Sequence, residues 1–229
     1  MSVKKISVFI ILIMLVLAAA GGYSYWKQNH KKAPVNNFVN YKDNGLTQAE
    51  KDAYYKKIDE INKQYEKANG KEDQFKKHLL TGFQYYGLGE YQKARTEYIA
   101  SSQILPENPQ VWAELYVVEN DMKDFSNAKT HIEKAISLNS ASPQYWRWRI
   151  DFATDNEKQP NDALDSLYKT ALDKTFNSAD IVTLYAEFLE NKKGDLAGAV
   201  TQWKRAIEVN PDKKAIYQAE IERIQNKLK

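Results

Sequence analysis

The sequence predicts an all-α protein, and three observations carry that reading: chain breakers are sparse, apolar residues recur at helical spacing, and one pattern of small and bulky residues returns every 34 to 36 positions. Only 9 Gly and 6 Pro occur in 229 residues, while Lys, Glu, Ala and Leu abound between them, which favours long helices over strands. A hydrophobic share of 43%, with 15 Tyr leading the aromatics, suffices for a packed core.

At the N-terminus, Lys4 and Lys5 precede Ile6 to Ala20, where Ser7 is the only polar side chain, and no charge returns until Lys27. Continued as helix through Trp26, this segment reaches about 31 Å, the hydrocarbon thickness of a bilayer. Tyr23, Tyr25 and Trp26 then fall at an interfacial belt, with Lys27, Lys31 and Lys32 just beyond it. Residues 1–26 are therefore expected to be an uncleaved signal anchor and transmembrane helix. Ala18-Ala19-Ala20-Gly21 also fits a cleavage site, so a secreted adaptor cut after Ala20 is the alternative. Lysines flank both ends, so the positive-inside rule says little. A short charged N-terminus followed directly by the apolar segment favours an extracytoplasmic C-terminal domain.

Residues 27–46 hold Pro34, Asn36-Asn37 and Asp43-Asn44-Gly45 without apolar period, and read as a flexible linker. Thr47 and Glu50 then open a leading helix over 47–70 with a capping box. Its stripe of Tyr54, Ile58, Ile61, Tyr65 and Ala68 stops at Asn69-Gly70. The stripe is expected to pack on the first helix pair after it; a short coiled-coil seam is the alternative, disfavoured by the few heptads and the aromatics at Leu positions.

From residue 75 the chain repeats itself. Ala94, Ala128, Ala163 and Ala199 stand 34, 35 and 36 residues apart. Four residues after each comes a bulky one (Tyr98, Ile132, Leu167, Trp203), and seven after it a small one (Ser101, Ala135, Thr170, Ala206). Those spacings define one helix face. Turns precede the second helices at Gly89-Glu90, Lys123-Asp124 and Gly194-Asp195, whereas the third unit uses Pro160 after a loop extended around Asn156 to Gln159. Unit four carries about one extra residue near Asn191. Gly82, Tyr85, Trp112, Leu115, Trp146, Ile150, Leu184 and Ala186 mark the first helices, and Pro106, Pro109, Pro143 and Pro211 sit at boundaries. A final helix within 212–229 is expected to turn Tyr217, Ile221, Ile224 and Leu228 inward, with Lys213, Lys214, Glu222, Arg223 and Lys227 outward.

These residues resemble the tetratricopeptide-repeat (TPR) family, with Gly194, Leu196, Ala199, Trp203, Ala206 and Pro211 as the nearest match to its 34-residue motif. The resemblance covers residues 75–211. It implies an α-solenoid of four helix-turn-helix repeats, about 75–108, 109–142, 143–177 and 178–211, closed by a C-terminal capping helix. In a stack of this kind small residues let helices cross closely, and aromatics fill the gaps to the next pair.

Chemistry is sparsely represented. The absence of cysteine excludes disulfides, thiolate catalysis and Cys-based metal sites. His30, His78 and His131 lie far apart in sequence, and no Gly-rich loop follows a strand, so neither an enzyme nor a metal or other cofactor is expected. An accessory subunit of an envelope enzyme is the alternative of another class. Residues 1–77 carry 14 Lys and 8 acids, whereas 78–229 carry 19 basic and 22 acidic residues. The repeats therefore lack the basic stripe that nucleic acid requires.

Binding remains. The resemblance implies a protein or peptide partner held on the inner wall, which the first helices form. On this chain that wall comprises Lys76, Leu79, Phe83 and Tyr86, then Val117 and Asn120, then Arg147 and Asp151, then Glu187 and Glu190. It grades from aromatic to acidic. Lys76, Asn120 and Arg147 only partly match a carboxylate clamp known in the family, and Asp121 and Asp151 oppose an anion there. Assembly or chaperoning of envelope proteins is the expected context, by analogy of architecture.

Overall fold

The computed structural model describes residues 41–67 and 69–228. The expected anchor over 1–26, and the linker up to residue 40, lie outside them. Helix α1 (Gln48–Gln64) leads into four pairs: α2 (Lys71–Gly87) with α3 (Tyr91–Ile104), α4 (Pro109–Met122) with α5 (Phe125–Leu138), α6 (Pro143–Asp155) with α7 (Asn161–Lys174), and α8 (Ala179–Phe188) with α9 (Leu196–Val209). A 3-10 turn, Pro211–Lys213, introduces α10 (Lys214–Lys227). Among the described residues there is no strand. Each helix packs chiefly on its sequence neighbours, so the pairs stack as a solenoid.

Helix ends follow from short side chains and turn geometry. Thr47 and Glu50 close the capping box reciprocally on α1. Asn108, Asp124 and Asp195 cap α4, α5 and α9 by accepting from backbone N–H groups. Between paired helices the chain passes through the left-handed region, at Gly89 (φ 77°), Lys123 (φ 65°) and Gly194 (φ 70°). Glycine does so without strain; Lys123 does so at a steric cost on the order of 1 kcal/mol.

Pairing depends on small residues where two helices cross. Ala94, Ala128 and Ala199 are completely buried. Gly82 faces the ring of Tyr98, which occupies the space a Cβ would need. The third unit departs from the register expected of it: Ala163 is exposed and Leu164, Tyr168 and Ala171 are buried in its place. Each second helix puts its crossing residue in fourth position, and α7 starts at Asn161, so Leu164 takes the site. The cause is the loop after α6. It runs over 156–160, longer than the turns 88–90 and 123–124 of the first two units. Leucine in place of alanine keeps α6 and α7 from the close approach seen in the other pairs.

The additional residue in unit four has a defined place. Helix α8 passes into a π turn, Leu189–Lys193, which absorbs one residue by widening the helical ring. Three other boundaries differ from expectation. The leading helix ends at Gln64 and not near residue 70; Gly70 instead N-caps α2. Residues 41–46 are not loose linker, because they satisfy carbonyls left without partners at the end of α2. Asn44 Nδ2 donates to Gly87 O at 2.6 Å and Lys42 N–H to Gly89 O at 3.1 Å. Leu228 lies beyond the last turn of α10 and is 56% exposed, while Tyr217, Ile221 and Ile224 are buried as expected.

Gly82→Ala should lower stability by about 1–3 kcal/mol, since the tightly packed Tyr98 ring has to leave its position. Thermal unfolding followed by circular dichroism measures this; an unchanged midpoint would show that the crossing tolerates a methyl group.

Candidate functional site

Successive first helices are tied to one another by side chains. Tyr86 on α2 donates to Asp121 on α4 at 2.6 Å, and Tyr116 on α4 donates to the Trp148 carbonyl on α6 at 3.1 Å. Burial, reinforced by Asp121, pushes the Tyr86 phenol well above its ordinary value, so it remains a donor. At the far end α10 takes the place a fifth first helix would occupy. Glu190, in the π turn, receives both Arg223 guanidinium nitrogens at 2.6 Å and Lys227 Nζ at 2.7 Å. This two-pronged geometry is the strong form of the ion pair.

The expected wall residues are not equivalent. Lys76 is exposed on α2. Leu79 belongs to the core with Phe75 and Tyr98, because the i, i+4 row from Phe75 faces α3. Phe83 is half-buried, edge-on to Tyr98 with ring centroids 5.8 Å apart. Tyr86 is committed to Asp121 and stacks on Tyr91. Val117 is half-buried, whereas Asn120 is buried and accepts from Asn156 at 3.0 Å. Arg147 and Asp151 are half-buried on α6, Glu187 is exposed on α8, and Glu190 is the buried anion of the clamp just described.

Two depressions open on this face near its C-terminal end. One, of about 470 Å³, lies between α8 and α10, lined by Asp180, Thr183, Glu187, Glu190 and Asn191 on one side and Lys213, Ile216, Tyr217, Glu220 and Arg223 on the other, with Trp203 of α9 between. The second, of about 410 Å³, is lined by Thr154 and the loop after α6, by Leu164 and Tyr168 of α7, and by Leu184, Glu187, Phe188, Asn191 and Lys192. They share Glu187 and Asn191. Both adjoin irregular features: each is lined by Asn191 of the π turn, and the second also by Leu164.

Several contributors were not legible beforehand. Arg223 and Lys227, expected to point outward, turn to Glu190. Trp203, the bulky repeat residue of unit four, is 5% exposed, yet it also lines the first depression. The one hint in the sequence was the extra residue near Asn191. Glu114, absent from the expected wall, is a half-buried carboxyl on α4 near Tyr98 and Tyr145; burial raises it to about 8, with a hydrogen bond to Gln110 opposing. The two described histidines have structural partners: His78 meets Glu97 at 2.8 Å, and His131 meets the fully buried Glu119 at 2.6 Å, where Arg95 also donates. Among the described residues no group of three or more His, Asp or Glu could hold a metal ion.

The Arg223 hydrogen bonds hold Glu190 down to about 2 from an ordinary 4.5, so its contribution is complete above about pH 4.5 and disappears as pH falls through about 2. Glu190→Gln should flatten stability over that interval. At neutral pH Arg223→Ala should cost about 1–3 kcal/mol and speed amide exchange in Lys214–Lys227, as read by hydrogen–deuterium exchange.

No protein-family model matches the sequence, and no curated protein matches it. Solved structures do resemble the fold. MamA matches with a TM-score of 0.54 at 17% identity, over 76% of this chain and 98% of that one. A MamA fragment from Desulfovibrio magneticus RS-1 gives 0.51 at 14% identity, over 72% and 90%. PilF of Pseudomonas aeruginosa gives 0.53 at 14% identity, over 69% and 71%. These are tetratricopeptide-repeat proteins, and at such identities the likeness concerns the fold: the described helices form a solenoid of TPR type.

Proposed function

We propose that this chain is a membrane-tethered scaffold that binds a peptide or protein segment along its first-helix face, in the assembly or chaperoning of envelope proteins. The observation that carries the reading is the pair of adjacent depressions on this face, both lined by Glu187 and Asn191. Phe83 and Val117 lend the N-terminal part of the face an apolar character, while Asp151, Asp180 and Glu187 make the C-terminal part acidic. A segment with an apolar end and a basic end complements that gradient. The rigidity of the face favours binding, since the ties between first helices reduce what must be ordered on association.

The tether rests on the apolar run from Ile6 and its aromatic flank. Among the described residues no helix is long and apolar enough to cross a membrane. A secreted form cleaved after Ala20 is the second reading, favoured by Ala18-Ala19-Ala20-Gly21.

A photo-crosslinking amino acid at Val117 or Glu187 should capture the same partner in cells, and one at Lys134 or Lys204, exposed on second helices, should not. Equal capture from all four positions would move the site off this face. Because the chain has no cysteine, Ser140→Cys in the exposed turn between α5 and α6 provides a unique label site. A membrane-impermeant maleimide should label it in intact cells, after permeabilisation of any outer membrane, and the protein should stay in the membrane fraction. Labelling only after inner-membrane lysis would reverse the topology, and recovery in the soluble fraction would favour cleavage.

A further inference from the structure

We infer that this chain associates head to tail with a second copy of itself, the Phe176 ring of one copy entering the second depression on the first-helix face of the next. This rests on the reading of that face as a seat for protein segments, and it names the segment that the second depression takes. Phe176 is costly where it stands. It follows α7 at a reversal of the chain: Phe176 N–H donates to Asp173 O at 3.3 Å and Asn177 N–H to Leu172 O at 2.8 Å, the two bonds of a Schellman turn. Such a turn places a residue in the left-handed region, where glycine is usual. Here phenylalanine takes the position at φ 53°, with Asn177 at 59° behind it. The ring gains little burial in return, since at 83% it is the most exposed of the large hydrophobic side chains described. A strained backbone that holds an aromatic ring out in water points to a contact made outside the chain.

The second depression has the matching chemistry. Leu164, Tyr168, Leu184 and Phe188 give it apolar walls, and its volume of about 410 Å³ exceeds that of a phenyl ring. Lys158 and Lys192 on its rim are exposed, and neither forms an ion pair with a described residue. Glu187 also lines it but is already engaged within its own chain. Phe176 is flanked by carboxylates: Asp180 is exposed, and Asp173, 75% exposed, pairs only with its neighbour Lys174, at 3.3 Å. Ring to apolar wall and carboxylate to lysine are therefore complementary. A chain cannot fill its own depression. Leu164 and Tyr168 lie in the first two turns of α7 and Leu184 and Phe188 in the second half of α8, whereas Phe176 stands beyond the last turn of α7 and ahead of α8. Tyr168 and Leu184 are each eight positions from it, roughly 12 Å of helix, farther than a phenylalanine side chain extends. Each copy thus offers a ring to one neighbour and a depression to another.

The test is sedimentation of the full-length chain in density-matched detergent micelles over a range of concentrations. Wild type should assemble beyond a dimer as concentration rises. Phe176→Gly should weaken that assembly about 10-fold or more, through loss of a buried aromatic ring. The same variant should raise the midpoint of thermal unfolding by about 2–4 °C, because glycine adopts the left-handed turn without strain. The double variant Lys158→Glu, Lys192→Glu, changed only at exposed positions, should weaken assembly about 5- to 10-fold at unchanged helicity. Mixed together, the two variants should form a one-to-one pair of wild-type strength that grows no further, since the lysine variant keeps its ring and the glycine variant keeps its depression. A monomeric wild type, assembly that either variant leaves intact, or a mixture that forms no pair would overturn the assignment. So would a photo-crosslinking amino acid at position 176 that captures a different protein in cells, which would give the ring to that partner. In every case the groove function still stands or falls on capture at Val117, which does not line the second depression.

Discussion

A pair of helices in this stack holds together only where their backbones come close, and that approach is set by one small residue in each second helix. Ala94, Ala128 and Ala199 are completely buried at those crossings, and in the first unit Gly82 adds a second gap into which Tyr98 lays its ring. The side chains four and seven positions further on, such as Ile132 with Ala135 or Trp203 with Ala206, then fall onto the same face and reach the next pair. Core continuity is thus inherited from unit to unit. A bulky residue at one crossing disturbs its own pair first and the neighbouring surface second.

In the third unit the constraint is relaxed, and the packing loosens accordingly. Leu164 stands where alanine stands elsewhere, and the loop before α7 is longer than in unit two, so α6 and α7 share less of their length. Unit four takes up its extra residue as a π turn, the kind of irregularity that often marks functional positions in helices. The two depressions of the first-helix face adjoin these units.

Electrostatics has a different role at the two ends. Near the N-terminus, carboxylates are largely structural: Asp121 receives Tyr86, and Glu119, without solvent exposure, receives Arg95 and His131. A buried carboxylate with this many donors fixes the geometry of three helices, although its net contribution to stability is limited by desolvation. Near the C-terminus, Glu190 draws in the cations of α10 and so docks the last helix. The same pairing commits Arg223, one of the two cations lining the first depression, to Glu190.

The solenoid class, the four units and the roles of most apolar positions were determined by the sequence, because helical periodicity and a 34-residue return are local properties that survive without coordinates. The register of α7 was not. Ala163 and Leu164 are adjacent, both fit a helix face, and only the length of the preceding loop, fixed by packing against α6, decides which is buried. The extra residue in unit four could be counted, but its absorption as a π turn depends on how α8 meets α9 and α10. The wall was legible as a set of positions and not as a site: Leu79 is drawn into the core and Glu190 into an ion pair, while Trp203 and Arg223 arrive from helices outside the expected wall. Spacing assigns a residue to a helix face. Which neighbour that face meets, and whether a donor there finds its acceptor, is settled by contacts between residues about 30 apart in the chain, which tertiary packing alone brings together.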